Sequence, residues 1–436
     1  MPFLDILLLS FYVSIFLGVV YNIFRYLILN NEVIFLRYVI LGNGAAGISA
    51  AETLRNLDES SEITIISAEN VPTYTKFLLP DYVGGRLDRE KLFLRNIKNY
   101  EEHKINLILN KNFDEIDVKN KCIKLTCGTK VEYDKLLVAT GAKPVIPKIY
   151  GLDNSNYLTI NSIADADIMR NKAAEGKNAV IIGGGLTGIE TAYALKNLGM
   201  NATIVERENL MLPQHLDSTG SEIFTNQVQK DGIKVLLSKN ITSVTSGEEN
   251  FLEFSNGEKL NYHMLVIAIG TRPFLDIFEG TGIKCQRGIL VDQYLESTVK
   301  DVYAAGDVAE SSNYQSKGYV SGYIWSNALL QGKCAAFNMA GQPKEFSGSE
   351  AANNAIRLRD VPLISMGLVK PDEKDFEVIV ELDKESNVYK KIVLKDNKVK
   401  GMIFLGDVKT GNIIADYIRK DKDVSDIKHL IYSDSK

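Results

Sequence analysis

Short apolar runs, each closed by glycine or an acid and followed by a helical period, recur along the first three quarters of the chain. That alternation predicts buried parallel strands joined by helices. YVIL at Tyr38 opens into GNGAAG and a helical pattern through Leu54, and AVII at Ala179 opens into GGGLTG and a helical pattern through Leu195. After each comes a β run ending in an acid, EITIISAE to Glu69 and NATIVE to Glu206. A later strand closes on glycine in both copies, LLVATG and LVIAIG. An internal repeat on this scale predicts two mononucleotide-binding units built on one plan.

Beyond Glu206 the pattern reads as a helix (SEIFTNQVQKDG), short strands (IKVLL, FLEFS) and a turn at Asn256 and Gly257. Gly288 to Glu310 then ends a strand at Gly306 and Asp307, which supplies the missing strand of the first unit and makes the second an insertion in it. From about Lys344 the period changes to two in PLISMGL, FEVIVEL, KKIVLKD and KGMIFLGD, with a helix near Gly411 to Arg419. The expected fold class is α/β: two Rossmann-like three-layer dinucleotide-binding domains, the second inserted in the first, plus a C-terminal α+β domain. The expected division is 36–150 with 272–343 for the first domain, 151–271 for the second and 344–436 for the third, behind a hydrophobic segment at 1–35.

Length agrees, since 436 residues exceed what one core usually serves. A net charge of -5 leaves no basic excess for a phosphate backbone, which excludes nucleic acid as a partner. Four cysteines are too sparse for a secreted disulfide scaffold and suit a reducing cytoplasm; the four histidines show no metal-site spacing. Ile6 to Phe24 runs without a charge, close to the ~20 residues that span a bilayer. Two readings of this segment stand: a membrane anchor, or a start-site artefact with the native start near Leu36. With Asp5 before the run and Arg25 and Arg37 after it, the catalytic part lies in the cytoplasm on either reading. A signal peptide fits worse, for want of a basic amino end and a cleavage site.

The glycines explain the chemistry. Gly42, Gly44 and Gly47, with Asn43, Ala45 and Ala46 between them, sit where a strand opens into a helix, so backbone and pyrophosphate can touch and the helix terminus offers free N–H groups. Gly183, Gly185 and Gly188, with Gly184, Leu186 and Thr187, repeat the arrangement. Glu69 and Glu206 are placed to accept ribose hydroxyls; the plainer alternative is a tight turn followed by a surface glutamate. A carboxylate at 206 repels a 2′-phosphate and favours NADH over NADPH, with Arg207 as a softening neighbour.

Taken with the two fingerprints, LLVATGAKP, LVIAIGTRP, VYAAGDVAE and IWSNALLQGKCAAFNMAG resemble the pyridine nucleotide-disulfide oxidoreductase superfamily from about Arg37 to Asp423. Within it the likeness is to rubredoxin reductases and to the flavoprotein portion of the nitrite reductase large subunit, including the tail KIVLKDNKVKGMIFLGD. The resemblance implies FAD on the first unit, NAD(P)H on the second and a tail domain that supports a homodimer. It implies cofactor contacts at Ala139, Thr140, Gly141 and Gly270. It puts Gly306 and Asp307 on the flavin ribityl hydroxyls, where a helix cap is the alternative. Trp325 and Ser326 would open a helix facing the flavin pyrimidine, the alternative being a core tryptophan. Glu190 falls near the flavin and nicotinamide rings, and Lys76 at the isoalloxazine edge; an ordinary surface charge is the alternative for each.

Disulfide reductases of that superfamily use a C-x4-C pair, and Cys122 and Cys127 have that spacing. Read as one β run, CIKLTC puts the two Cα atoms ~16 Å apart on opposite faces, beyond the ~7 Å limit of a disulfide. In single-cysteine relatives the thiol precedes a proline by three residues; here Phe77 precedes Pro80. The expectation is an FAD-dependent NADH oxidoreductase passing electrons to a protein acceptor such as rubredoxin or another iron-sulfur carrier, without a thiol relay. The flavin subunit of a nitrite reductase-like complex, an NADH oxidase and a redox-sensing flavoprotein are the alternatives.

Overall fold

The computed structural model describes residues 35–311, 325–346, 356–358, 361–372 and 374–427. Residues 1–34, nearly all of the proposed anchor or artefact, lie outside them. Among the described residues no helix is long and apolar enough to cross a membrane.

The first sheet has five parallel strands in the order Val302–Ala304, Lys135–Val138, Arg37–Leu41, Glu62–Ile66, Ile105–Ile108. The second repeats the plan with four: Met264–Ile267, Asn178–Ile182, Asn201–Val205, Lys234–Leu236. Central strands such as RYVIL and NAVII are buried on both faces, which is why they read as unbroken apolar runs. Each unit carries a three-stranded antiparallel meander, Phe113–Asp117 to Lys130–Glu132 before the Lys135–Val138 strand and Ile241–Thr245 to Lys259–Asn261 before the Met264–Ile267 strand. Val302–Ala304 pairs with Lys135–Val138, so the first sheet takes strands from both sides of the second unit. Where the chain leaves and returns, Lys143–Pro144 and Thr271–Arg272 pair antiparallel.

The CIKLTC reading needs correction. The strand is Cys122–Leu125 only, and Cys127 lies in the turn closed by the Leu125 N–H to Thr129 O bond, with Gly128 at φ 84. Both cysteines are free thiols, as are Cys285 and Cys334.

The C-terminal sheet is antiparallel, in the order Ile356–Leu358, Leu363–Gly367, Lys398–Leu405, Val388–Lys395, Glu377–Asp383. Its period of two sorts its side chains. Ile364, Met402 and Phe404 face Ile414 and Ile418 of the Gly411–Lys420 helix. Leu363, Tyr389, Ile403 and Leu405 join a core shared with Leu212, Leu216 and Phe224 of the second unit.

A short segment of the first unit also crosses over. Tyr74, Leu79, Tyr82, Val83 and Leu92 pack with Ile163, Met169, Ile189 and Ala192 of the second unit rather than with their own sheet. Tyr82 donates to Asp167 at 2.6 Å, and Arg89 pairs with the same carboxylate at 3.1 Å. Residues 74–92 therefore run along the seam between the two nucleotide units.

Candidate functional site: two dinucleotide cradles

Both glycine loops are built alike. A Cβ on Gly42 (φ 114) would stand 2.2 Å from Ala139 O, and one on Gly183 (φ 120) 2.3 Å from Ala268 O; only glycine fits at either position. Cβ atoms on Gly47 and Gly188 would strike the carbonyls of Gly42 and Gly183 at 1.9 and 2.0 Å. Gly44 and Gly185 meet nothing and are the N-caps of the Ala45–Leu57 and Leu186–Asn197 helices, with no side chain capping either. The first-turn N–H groups thus have no capping side chain, as at a ready receptor for phosphate. Ala45, Ala46 and Gly47 are buried in the first turn; in the second, Gly188 is buried, Leu186 half-buried and Thr187 exposed.

The two acids are held differently. Glu206 follows its strand directly; its Oε2 accepts from Gly184 N at 2.6 Å and its Oε1 from Glu208 N at 2.9 Å. Arg207 is turned to Glu208, 3.1 Å away. In the first unit Ser67 stands at the position of Glu206: Ser67 N bonds Ile108 O as Glu206 N bonds Leu236 O. Glu69 lies two residues further on, where Tyr74 donates to its Oε2 at 2.7 Å and Lys76 Nζ is 3.0 Å from its Oε1. The Tyr74 hydroxyl accepts from Ile163 N at 3.0 Å, tying this acid to the second unit.

Asp307 follows the Val302–Ala304 strand, half-buried. Burial pushes its carboxyl up to about 6, against the pull of the Lys76 ammonium. Gly306 N donates to the buried Gln331 amide oxygen at 2.6 Å, and a Cβ on Gly306 would stand 3.3 Å from that of Ala46, which brings Asp307 to the first cradle. Trp325, half-buried, begins the described Trp325–Met339 helix, with Ser326 exposed beside it. Phe77, 56 % exposed, meets the Trp325 ring edge-on at 5.9 Å between centroids. Glu190 is half-buried on the Leu186–Asn197 helix. Of the post-strand residues, Ala139 is buried, Gly141 half-buried, and Thr140 and Gly270 exposed.

Sequence reasoning missed Tyr74, Tyr100 and Asp217. The Tyr100 hydroxyl donates to Asn43 Oδ1 at 3.0 Å and accepts from Thr73 N at 3.1 Å, leaving Asn43 Nδ2 buried without a partner. A better signal existed for the Ile163–Lys172 helix: Ser162 and Asp165 form a capping box, the S-x-x-D spelled in the sequence.

Paired glycine-loop cradles on an inserted double Rossmann fold define a protein built to hold two dinucleotides. Residues 36–332 match the family model for pyridine nucleotide-disulphide oxidoreductases, and the chain belongs to that family. Residues 354–422 match the rubredoxin NAD+ reductase C-terminal domain. The NAD(P)H nitrite reductase of Bacillus subtilis is 31 % identical over 90 % of this chain and 48 % of its own. The NADH-rubredoxin oxidoreductase of Clostridium acetobutylicum is 28 % identical over 90 % of this chain and 97 % of its own. The crystal structure of NADH:rubredoxin oxidoreductase from that organism superposes with a TM-score of 0.72 at 27 % identity, covering 90 % and 97 %. A persulfide reductase from A. fulgidus superposes at 0.82 with 23 % identity, a likeness of fold. The chain spans about half the length of the first two curated relatives it matches.

The two cofactors of that family, FAD and a pyridine nucleotide, both fit this chain's own residues. The uncapped helix starts at Gly44 and Gly185 supply anion-binding N–H groups, and the orphaned Asn43 amide offers a buried donor beside the first of them.

Proposed function

We propose that this chain is an NADH-dependent reductase that passes electrons from bound FAD to a protein acceptor, rubredoxin or another iron-sulfur carrier. FAD supplies the ring that accepts hydride and releases electrons. The chain's residues do the rest: the 42–47 loop, Glu69 and Asp307 bind FAD, while the 183–188 loop and Glu206 bind NADH. Lys76 sets the electrostatics at the flavin edge, and Glu190 stands beside the rings.

The observation that carries this reading is Phe77. By the resemblance in sequence, the place where thiol-using relatives keep their cysteine falls on this phenyl ring, which is edge-on to Trp325. None of the four free cysteines belongs to either glycine loop or to the 74–92 segment. Without a thiol relay, one NADH delivers its two electrons to two one-electron carriers, with NAD+ and a proton as the other products. The rubredoxin reductase-type tail supports a carrier of that class, and a homodimer through that domain belongs to the same reading. The division at 150/151, 271/272 and 343/344 and a cytoplasmic catalytic part complete it.

A second reading rests on length. Relatives matched over about half their extent include a nitrite reductase, so this chain is also suited to be the flavin module of such a complex. Anaerobic reduction by NADH, followed by mixing with rubredoxin, a ferredoxin, oxygen or nitrite reductase components, separates the two. Fast reoxidation by rubredoxin or ferredoxin is expected. Failure of NADH to bleach the flavin, or reoxidation by oxygen alone, defeats the carrier reading.

A further inference from the structure

The tail domain does more than cover the second unit. Tyr389 and Lys391, two residues apart on one strand and so on one face, both reach the Asp217 carboxylate. The Tyr389 hydroxyl donates to Oδ2 at 2.7 Å and Lys391 Nζ does so at 2.8 Å. Asp217 Oδ1 accepts the Gly220 N–H at 2.9 Å, capping the Ser218–Lys230 helix. Burial opposes this carboxylate, yet Lys391, the Gly220 N–H and Tyr389 hold it below the ordinary range. The side chains of Lys391 and Asp217 keep 10 % and 14 % of their exposure. Two further tail residues grip the same loop: Ser365 Oγ donates to His215 O and Lys370 Nζ to Pro213 O, each at 2.5 Å.

The other end of that loop builds the second cradle. Leu212 N donates to Gly184 O at 3.0 Å. Met211 Sδ stands 3.1 Å from where a Cβ on Gly184 would be, and Met211 N donates to Ser221 Oγ at 2.8 Å on the helix that Asp217 caps. Gly184 N in turn holds Glu206 Oε2 at 2.6 Å. Polar contacts joined through residues 211–221 thus link the tail sheet to Glu206.

We propose that the tail domain positions the NADH site: Asp217, clamped by Tyr389 and Lys391, is a positioning residue that fixes residues 211–217 and through them the Gly184–Glu206 contact. This rests on the reading of the second cradle as the NADH site. Desolvation offsets most of the attraction in a buried ion pair, so the clamp contributes defined geometry more than stability.

The test uses the full-length holoenzyme. The double variant Asp217→Asn/Lys391→Met removes both charges together, leaves no lone buried charge, and keeps a residue competent to cap the helix. FAD content and the visible spectrum stay at parental values, the KM for NADH rises about five- to twenty-fold, and kcat stays within about two-fold. Lys370→Met, which releases one surface contact to the same loop, gives a smaller rise of about two-fold and serves if the double variant does not fold. A purely structural clamp would lower the melting temperature and leave KM alone, and an unchanged KM in these variants overturns the proposal. Glu206→Ser run in parallel separates the failures. If it too leaves the NADH KM unchanged, the site reading has failed; if it raises KM while the clamp variants do not, only the positioning role has.

Discussion

Lys76 Nζ lies 3.0 Å from Glu69 Oε1, so the acid of the first cradle is paired with the one basic residue of the 74–78 turn. Tyr74 holds the other oxygen of that carboxylate. Glu206 is fixed by backbone N–H groups alone, whereas Glu69 is fixed by side chains from the seam between the two units. The pair also brings the ammonium near enough to Asp307 to oppose that carboxyl's upward shift.

Both members of the pair are more than a quarter exposed, so their attraction contributes less than ~1 kcal/mol to stability. Their separate roles show in cofactor binding. Glu69→Gln lowers FAD affinity by about ten-fold or more, the loss of a charge-assisted hydrogen bond. Lys76→Met leaves FAD affinity within about three-fold and shifts the flavin's midpoint potential to lower values. FAD fluorescence during reconstitution of the apoprotein and a redox titration read the two effects.

Asp307 gives the pH dependence. Its carboxyl titrates at about 6 in the protein, against about 3.9 in an unfolded chain. Between those values the folded apoprotein binds more protons than the unfolded chain, so its stability falls as the pH rises through that window. On the proposed reading the ribityl hydroxyls would donate to the ionised form, so FAD binding below about 6 is expected to release a proton, and FAD affinity to rise with pH until about 6 and then level. Asp307→Asn weakens FAD binding and flattens this profile, as equilibrium titrations from pH 4.5 to 8, a range chosen at roughly two units around the transition, will record.

On the proposed reading, nucleotide choice rests on Glu206. Arg207 is already beside it, but its guanidinium is paired with Glu208. Glu206→Ser raises the NADPH-to-NADH ratio of kcat/KM by about ten-fold, and adding Glu208→Ser raises it further by freeing Arg207. A ratio unmoved by both substitutions rejects this assignment.

Gly332 tests the packing beneath the first cradle. A Cβ there would stand 2.1 Å from Ala46 O, where the Trp325–Met339 helix crosses the helix that opens at the glycine loop. Gly332→Ala costs about 3 kcal/mol through overpacking and loosens FAD with it, measured by urea unfolding and FAD retention.

Much of this was legible in the sequence. The glycine loops, the inserted second unit and the period-two tail follow from local pattern, because burial on both faces of a parallel strand and the φ of Gly42 and Gly183 admit few residue types. What was not legible depends on contacts distant in the chain. The pattern shows an acid near the end of each second strand, but only the register of Ser67 against Ile108 shows that Glu69 lies two residues past the position of Glu206. Residues 74–92 have no regular period because they form a Leu79–Val83 helix between two 3-10 turns and pack on another unit's core. The end of the Cys122–Leu125 strand is set by the Gly128 turn, which the apolar run conceals. The pattern starts its helix at Ser221, so neither the Asp217 cap of the Ser218–Lys230 helix nor its bond to Tyr389 of the tail sheet shows in it.

The central claim is that electrons leave FAD for a carrier without passing through a thiol. Its most direct measurement is carrier turnover after the holoenzyme has been reduced anaerobically with NADH and treated with iodoacetamide. The account predicts undiminished NADH-dependent reduction of rubredoxin or ferredoxin, with two carriers reduced per NADH. Loss of carrier reduction on alkylation, with flavin bleaching by NADH intact, would contradict it.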